Sequence, residues 1–342
     1  MEKDNLKGSV CLVTGGAGFI GSELVRQLLN EGAKVIVFDN MLIGDESNLE
    51  EVKNKIKLIK GDIREKEIFK KSLIENKVEY VFNLAAEPYI PHCYERPQEF
   101  FSINANGALN VILACKEAKV RRIVQYSTSE IYGSGRFFPM DENHPINPLS
   151  TYAVSKLAAD RLAFTLYHEQ KIPVIILRQF NAYGPRECQP YILPEIISQL
   201  SRSNKLLLGN IKARRDFTYV EDAAKSAIEL IKYKEAEGNV FNSGSGIDYS
   251  VEELAHMIGE IMGYKSIKIE IDPKRLRPLD VERLQCNYFK LNMLTGWKPR
   301  IDIKEGLKRI IEWFNKNNKV WMWEKRFPME RVWGKGIWEK ES

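Results

Sequence analysis

Histidine is scarce in this chain, and no pair of histidines stands at metal-ligand spacing. The four are scattered over 342 residues, so a histidine-built metal centre is not expected. The five cysteines, Cys11, Cys93, Cys115, Cys188 and Cys286, include no CxxC pair. Neither a zinc site nor a disulfide framework is expected, and they read as buried thiols of a reducing compartment. No apolar run is long enough to span a membrane, and the N-terminus has no apolar h-region. A cytoplasmic chain without a membrane span is expected. Runs of like charge are missing too. Fifty-one Lys and Arg against 46 Asp and Glu leave a dispersed net charge of +5, which gives no nucleic-acid arm. That small surplus suits a small anionic substrate. No internal repeat or low-complexity stretch is visible.

The composition is 44% hydrophobic and 28% charged, which is globular and allows one large or two modest domains. Val10 to Thr14 is a short apolar strand. It runs into Gly15-Gly16-Ala17-Gly18-Phe19-Ile20-Gly21, and a helix follows from about Ser22 to Asn30. Gly15, Gly18 and Gly21 stand at GxxGxxG spacing. A turn without Cβ atoms lets the backbone approach a pyrophosphate, and the helix N-terminus offers amides to it. The next strand, Lys34 to Phe38, ends in Asp39, where a carboxylate holds the ribose hydroxyls of NAD. Asn40-Met41 follows, with no arginine for a 2′-phosphate, so NAD is expected rather than NADP.

Strands and helices continue to alternate. Strands are expected at Ile56 to Lys60, Tyr80 to Leu84, Ile123 to Tyr126 and Val174 to Leu177. Helical patterns fall at Ile68 to Asn76, Glu99 to Lys119 and Tyr152 to Gln170. Ala85-Ala86, small residues after a strand, let a backbone pass close to a cofactor. The series specifies an α/β fold, a Rossmann doubly wound parallel sheet covered on both faces.

Two stretches carry candidate chemistry. Ser127-Thr128-Ser129-Glu130-Ile131-Tyr132-Gly133 follows an apolar strand, so its hydroxyls and carboxylate fall at the carboxyl edge of the sheet, where open α/β folds bind ligands. Tyr152-Ala153-Val154-Ser155-Lys156 puts a phenol and an ammonium four apart on a helix, on one face. A lysine beside a tyrosine favours the phenolate and makes it a usable base.

After Arg178 the rhythm changes to short strands, helices and the turn-rich run Asn181-Ala182-Tyr183-Gly184-Pro185-Arg186. The reading is a NAD-binding domain over 1–180 plus about 207–244, a smaller α/β substrate-binding region over 181–206 and 245–318, and a C-terminal extension over 319–342. That extension holds four of the six tryptophans; such a load is expected to fold back onto the substrate region or a neighbouring subunit. The helices at 99–119 and 152–170 carry apolar residues on more than one side, among them Ile103, Leu109, Ile112, Leu162, Leu166 and Tyr167, which predicts a homodimer.

Together these pieces resemble the extended short-chain dehydrogenase/reductases, in the group of NAD-dependent sugar-nucleotide epimerases and dehydratases. The matching residues span about 9–315: Thr14 to Ser22, Asp39-Asn40, Gly61-Asp62-Ile63, Asn83-Leu84-Ala85-Ala86, Ser127 to Gly133, Tyr152 with Lys156, Arg178, Asn181, Tyr183 to Arg186, Arg215 to Asp222, and Arg277-Pro278. Thr128-Ser129-Glu130 before Ile-Tyr-Gly is similar to the 4,6-dehydratases of GDP-mannose and of UDP- or GDP-N-acetylglucosamine and to the UDP-glucuronate decarboxylases, whereas dTDP-glucose dehydratases carry Asp where Ser129 stands. Pro139 to Pro145 and Arg275 to Leu284 look most like UDP- or GDP-N-acetylglucosamine 4,6-dehydratases of the legionaminic acid pathway type. The chain departs from relatives at Glu87-Pro88-Tyr89 and at Tyr191.

The resemblance implies contacts to NAD from Gly15, Gly18, Phe19, Ile20, Gly21, Asp39, Asn40, Asp62, Ile63, Leu84, Ala85, Ala86, Tyr152 and Lys156. It implies that Tyr152, Lys156 and Thr128 serve oxidation at carbon 4 of a nucleotide sugar. Glu130 would be the base at carbon 5, with Ser129 assisting loss of water from carbon 6. Asn181, Arg215 and Arg277 would hold the diphosphate. A decarboxylase shares the five catalytic candidates and stays open. A 4-epimerase needs no base at carbon 5, and a dinucleotide-binding regulatory protein would not need Tyr152 and Lys156.

Overall fold

The computed structural model describes residues 3–326. Among them the strands are β1 (Val10–Thr14), β2 (Lys34–Asp39), β3 (Ile56–Lys60), β4 (Tyr80–Asn83), β5 (Arg122–Thr128), β6 (Val174–Gln179), β7 (Asn181–Tyr183), β8 (Lys205–Leu208), β9 (Arg214–Tyr219), β10 (Val240–Ser243), β11 (Asp248–Ser250) and β12 (Lys268–Ile271). The α-helices are α1 (Phe19–Asn30), α2 (Lys66–Glu75), α3 (Ile90–Cys93), α4 (Pro97–Phe101), α5 (Ala108–Glu117), α6 (Thr151–Gln170), α7 (Ile192–Leu200), α8 (Val220–Ile231), α9 (Val251–Ile261), α10 (Phe289–Thr295), α11 (Ile303–Lys316) and α12 (Met322–Arg326).

Seven strands form one sheet in the order β10-β6-β5-β4-β1-β2-β3. Every pair in it is parallel. These strands are apolar on both faces, as a sheet covered on both sides requires. One aliphatic core packs α1 and α8 against one face, and a second packs α2, α5 and α6 against the other. Strand order reverses between β1 and β4, and the crevice at such a reversal is where doubly wound sheets take ligands. Two small sheets, β11-β9-β7 and β12-β8, lie beyond the large one. Their core joins Tyr183, Ile196, Leu254, Leu307 and Phe314.

Three details depart from the sequence reading. The expected helix over 99–119 is not continuous: between α4 and α5 the backbone widens into a π-helical turn, Ser102–Gly107. Its Asn104 side chain points inward, accepting from the Glu87 N–H at 2.9 Å and donating to Ser155 Oγ at 3.0 Å. The segment returning to the large sheet begins at Val220 rather than near 207, because β8 and β9 pair within the small sheets. Finally, Ile103, Ile112 and Leu166 are buried within the chain; on these helices Phe101 and Val154 are the exposed apolar residues.

Trp321 and Trp323 are fully buried in the smaller core, with Trp321 stacked on Phe314 at 5.1 Å. The rest of the expected extension, with Trp333 and Trp338, lies outside the described residues. All five cysteines are buried and none forms a disulfide. Among the described residues no helix is long and apolar enough to cross a membrane.

Candidate active site

The reversal point is stitched by one hydroxyl. Thr14, the last residue of β1, donates to Asn83 Oδ1 at 2.6 Å and accepts from the N–H groups of Leu84 and Ala85 at 3.1 Å. The glycine turn packs directly on this joint. Gly15 has φ +66°, and a Cβ there would lie 3.0 Å from the Ala85 nitrogen. A Cβ at Gly21 would lie 2.1 Å from the Gly15 carbonyl oxygen, so the turn closes only without side chains. Helix α1 starts at Phe19, earlier than expected, and Gly18 leaves its N-terminus without a side-chain cap. Its first amides are therefore available to an anion.

Asp39 ends β2 at the rim of this turn. Its carboxylate accepts from Ala17 N–H at 3.0 Å and Met41 N–H at 2.9 Å. Asn40 donates to Asp62 at 2.9 Å. The Arg64 guanidinium, hydrogen-bonded to Asp62, holds that carboxyl down to about 2. A polar ladder runs from the turn toward the opposite side of the sheet. Asn83 donates to Gln125 Oε1 at 2.7 Å, Gln125 donates to the Tyr126 carbonyl at 3.0 Å, and Lys156 Nζ donates to the same carbonyl at 2.7 Å.

The catalytic candidates converge at the end of β5. A single 3₁₀ turn, Ser129–Tyr132, follows the strand, and the Thr128 hydroxyl caps it by accepting from Glu130 N–H at 3.2 Å. Ser129 and Glu130 are buried. Tyr152 and Lys156 sit in the first turns of α6, whose N-cap Ser150 accepts from Ala153 N–H. Burial pushes the Tyr152 phenol well above its ordinary value, while the adjoining Thr128 hydroxyl opposes the rise. Burial also lowers the Lys156 ammonium to about 8, against the pull of Asp160. Desolvation is the first cause of both shifts, and the ammonium donates to the Tyr126 carbonyl.

The facing wall is cationic. Arg215, from β9, is nearly buried. Its Nε lies 4.0 Å from Glu130 Oε1 and its Nη 3.4 Å from Asp280 Oδ1. Arg277 reaches the same Asp280 oxygen at 3.9 Å and is more exposed. Asn181 Oδ1 is buried with no hydrogen-bond partner among the described residues. One cleft of about 450 Å³ is lined by every candidate named from the sequence, from Gly15 through Arg277. The glycine turn, the bare helix start and Asp39 fit a dinucleotide.

Two carboxyl residues of the cleft, Asp280 and Glu187, were not among the candidates named from the sequence. Asp280 lines the cleft between the two arginines. Its charge in an arginine-rich run, Arg275 to Arg283, was the available signal. Glu187 is a buried cleft carboxyl pushed well up by desolvation. Behind the cleft wall, Glu87, noted above as a departure and raised by burial to about 7, is held to Asn104 through its backbone. Tyr191, the departure noted above, packs edge-on to Tyr89 at 5.9 Å.

Residues 12–310 match the family model of GDP-mannose 4,6-dehydratase. The chain belongs to this family. It is 34% identical over 315 residues to a putative UDP-glucose 4-epimerase of Methanocaldococcus jannaschii, covering 90% of this chain and 99% of that protein. It is 32% identical to a UDP-N-acetyl-alpha-D-glucosaminuronate decarboxylase of Bacillus cytotoxicus, covering 89% and 97%. The crystal structure of dTDP-glucose 4,6-dehydratase from Bacillus anthracis in complex with NAD superposes with a TM-score of 0.83 and 30% identity, covering 92% of this chain and 99% of that one. The resemblance to NAD-dependent nucleotide-sugar dehydratases and epimerases, and the doubly wound fold it implied, are borne out. A GDP-mannose 4,6-dehydratase family member is an NAD-dependent lyase, as expected here.

Proposed function

We propose that the protein is a nucleotide-sugar 4,6-dehydratase that converts UDP- or GDP-N-acetylglucosamine to its 4-keto-6-deoxy product. The carrying observation is Glu130, a buried carboxylate in the cleft, two residues beyond Thr128 and 4.0 Å from Arg215. NAD, when bound, would supply the hydride acceptor for carbon 4 and the hydride donor for carbon 6. The glycine turn takes its pyrophosphate, and Asp39 its ribose hydroxyls. Phe19, Ile20, Asn40, Asp62, Ile63, Leu84, Ala85 and Ala86 line the rest of its path.

Tyr152 takes the proton of the 4-hydroxyl, and Thr128 hydrogen-bonds the same oxygen. Lys156 orients the ribose and supplies the cation that a buried phenolate needs. The 4-ketone then acidifies the proton on carbon 5. Glu130 removes it and, with Ser129, passes it to the departing 6-hydroxyl, so that water leaves. Solvent reprotonates carbon 5, and Tyr152 releases its proton to solvent. Arg215, Arg277 and Asn181 hold the diphosphate, where arginine suits two-pronged contacts to phosphate.

Glu130→Gln tests this reading. It keeps shape but cannot accept the proton, so dehydration should slow by about 10²–10⁴-fold, the usual share of a general base. In heavy water the native product should carry deuterium at carbon 5. Near-native turnover of Glu130→Gln would reject the assignment. A decarboxylase is the second reading, favoured by the similarity to the Bacillus cytotoxicus protein; carbon dioxide released from a UDP-uronate would establish it. The reading includes a homodimer joined through the helical segments over 99–119 and 152–170, where Phe101 and Val154 are exposed; a monomer in light scattering would remove it.

A further inference from the structure

Beneath the catalytic corner lies a buried ion pair that the proposed reaction does not use. Arg178, on β6, is 2% exposed, and Asp160, on α6, is fully buried. The guanidinium grips Asp160 with two prongs, Nε to Oδ2 at 3.0 Å and Nη2 to Oδ1 at 3.1 Å. Its remaining prong, Nη1, donates to the Tyr132 phenol oxygen at 2.9 Å and to the Glu142 carbonyl at 3.2 Å. Tyr132 donates in turn to Asn242 Oδ1 on β10 at 2.7 Å. Asn242 closes the circuit, its N–H donating to the Glu142 carboxylate at 2.7 Å and its side chain to the Met140 carbonyl at 3.1 Å. Arg161 reaches Asp160 as well.

The position of this network matters more than its energy. Asp160 is one helical turn beyond Lys156 on α6. Tyr132 closes the turn that carries Glu130 two residues earlier. The path from Lys156 along α6 to Asp160, then Arg178, then Tyr132, therefore ends at Glu130. A single 3₁₀ turn cannot hold its own orientation. Apart from its cap, it is tied by Gly133 N–H to the Glu130 carbonyl and by Asn147 N–H to the Ile131 carbonyl, at 3.2 and 3.0 Å. The first bond closes the turn on itself and the second fixes it to a loop; toward the catalytic helix, Ile131 and Tyr132 pack with Leu157 of α6, and Tyr132 adds the directional link through Arg178 to Asp160. A buried ion pair adds little stability over apolar groups of the same shape. A fully satisfied polar network does select one arrangement among many.

We propose that Arg178 and Tyr132 are positioning residues that lock the Glu130 turn against α6, so that the group serving carbon 5 keeps its place relative to those serving carbon 4. The consequence for turnover rests on the dehydratase reading above; the locking of the turn does not.

Tyr132→Phe removes one hydroxyl and keeps the ring. Amide hydrogen exchange of residues 129–133 should then speed by about 10-fold or more, while the amides of α1 and α8 keep native protection. With UDP-N-acetylglucosamine, kcat should fall about 10- to 100-fold with KM within about twofold, the cost of a misplaced catalytic group. Arg178→Lys keeps the charge but loses the two-pronged grip, and should show the same local exchange. If that variant does not fold, Tyr132→Phe decides alone. Unchanged exchange at 129–133 overturns the locking role. Faster exchange with native kcat overturns the catalytic consequence. A native enzyme that turns over no nucleotide sugar defeats the dehydratase reading, and the exchange result still decides whether the turn is locked.

Discussion

The wall of the cleft that fits the dinucleotide is made of strand ends in one sheet, while the wall opposite gathers Asn181, Arg215, Arg277 and Asp280 from separate segments. On the first wall, contacts across the sheet such as Thr14 to Asn83 are joined by local ones. Gly18 N–H meets the Gly15 carbonyl, Met41 N–H meets Asp39, and Arg64 meets Asp62. On the second, Arg215 and Asp280 stand 65 residues apart. A wall shaped by backbone has no room for a Cβ and fails all at once. A wall shaped by side-chain charge shares its load and fails by degrees. That contrast orders the predictions.

Gly21→Ala should have the largest effect. Its methyl would meet the Gly15 carbonyl oxygen at 2.1 Å, so the turn must open. The native protein should release NAD on denaturation, and the variant should release none. Full NAD content in the variant would break the claim that backbone alone shapes this wall.

Arg215→Met and Arg277→Met should differ in degree. Arg215 is almost buried, and its side chain bears on both Glu130 and Asp280. A buried charged hydrogen bond contributes about 1.5–3 kcal/mol, so affinity for the nucleoside diphosphate should fall about 10- to 100-fold. Arg277, 35% exposed at the side chain, should cost about threefold to fivefold, as a screened pair does. Calorimetry with UDP and GDP checks this; equal losses would mean that both arginines share the anion evenly.

The smallest effect belongs to Asp62, whose partner Arg64 is two residues away. Its carboxyl is held at about 2 in the fold, below its ordinary value of 3.8. The stabilisation is therefore fully present above pH 3.8 and is lost as pH falls toward 2. Asp62→Asn should lower stability at pH 7 by about 1 kcal/mol or less after solvent screening. The difference from the native protein should vanish near pH 2, and diphosphate affinity should not change. An effect on that affinity would show that the two walls are coupled.

The glycine spacing, the acid after β2 and the Tyr152–Lys156 pair were readable because each lies within a few residues of one chain segment. The bounds of β1 and β3 were readable for the same reason, since apolar periodicity and turn chemistry act over short distances. The π-helical turn at Ser102–Gly107 was not, because its apolar pattern is that of an ordinary helix and only Asn104 reaching Glu87 and Ser155 reveals it. The contacts that set Asp280 between two arginines and join Arg178 to α6 and the Glu130 turn link distant segments, which no local pattern shows.

The sequence by itself determined the α/β alternation, the dinucleotide turn and the residue types available for proton transfer. Tertiary structure decided their electrostatics. Burial raises the Tyr152 phenol and lowers the Lys156 ammonium, shifts that the four-residue spacing of the pair does not reveal. Periodicity and backbone freedom are properties of neighbours in the chain. Desolvation and charge pairing depend on which distant segments close over a group, and no local pattern encodes that.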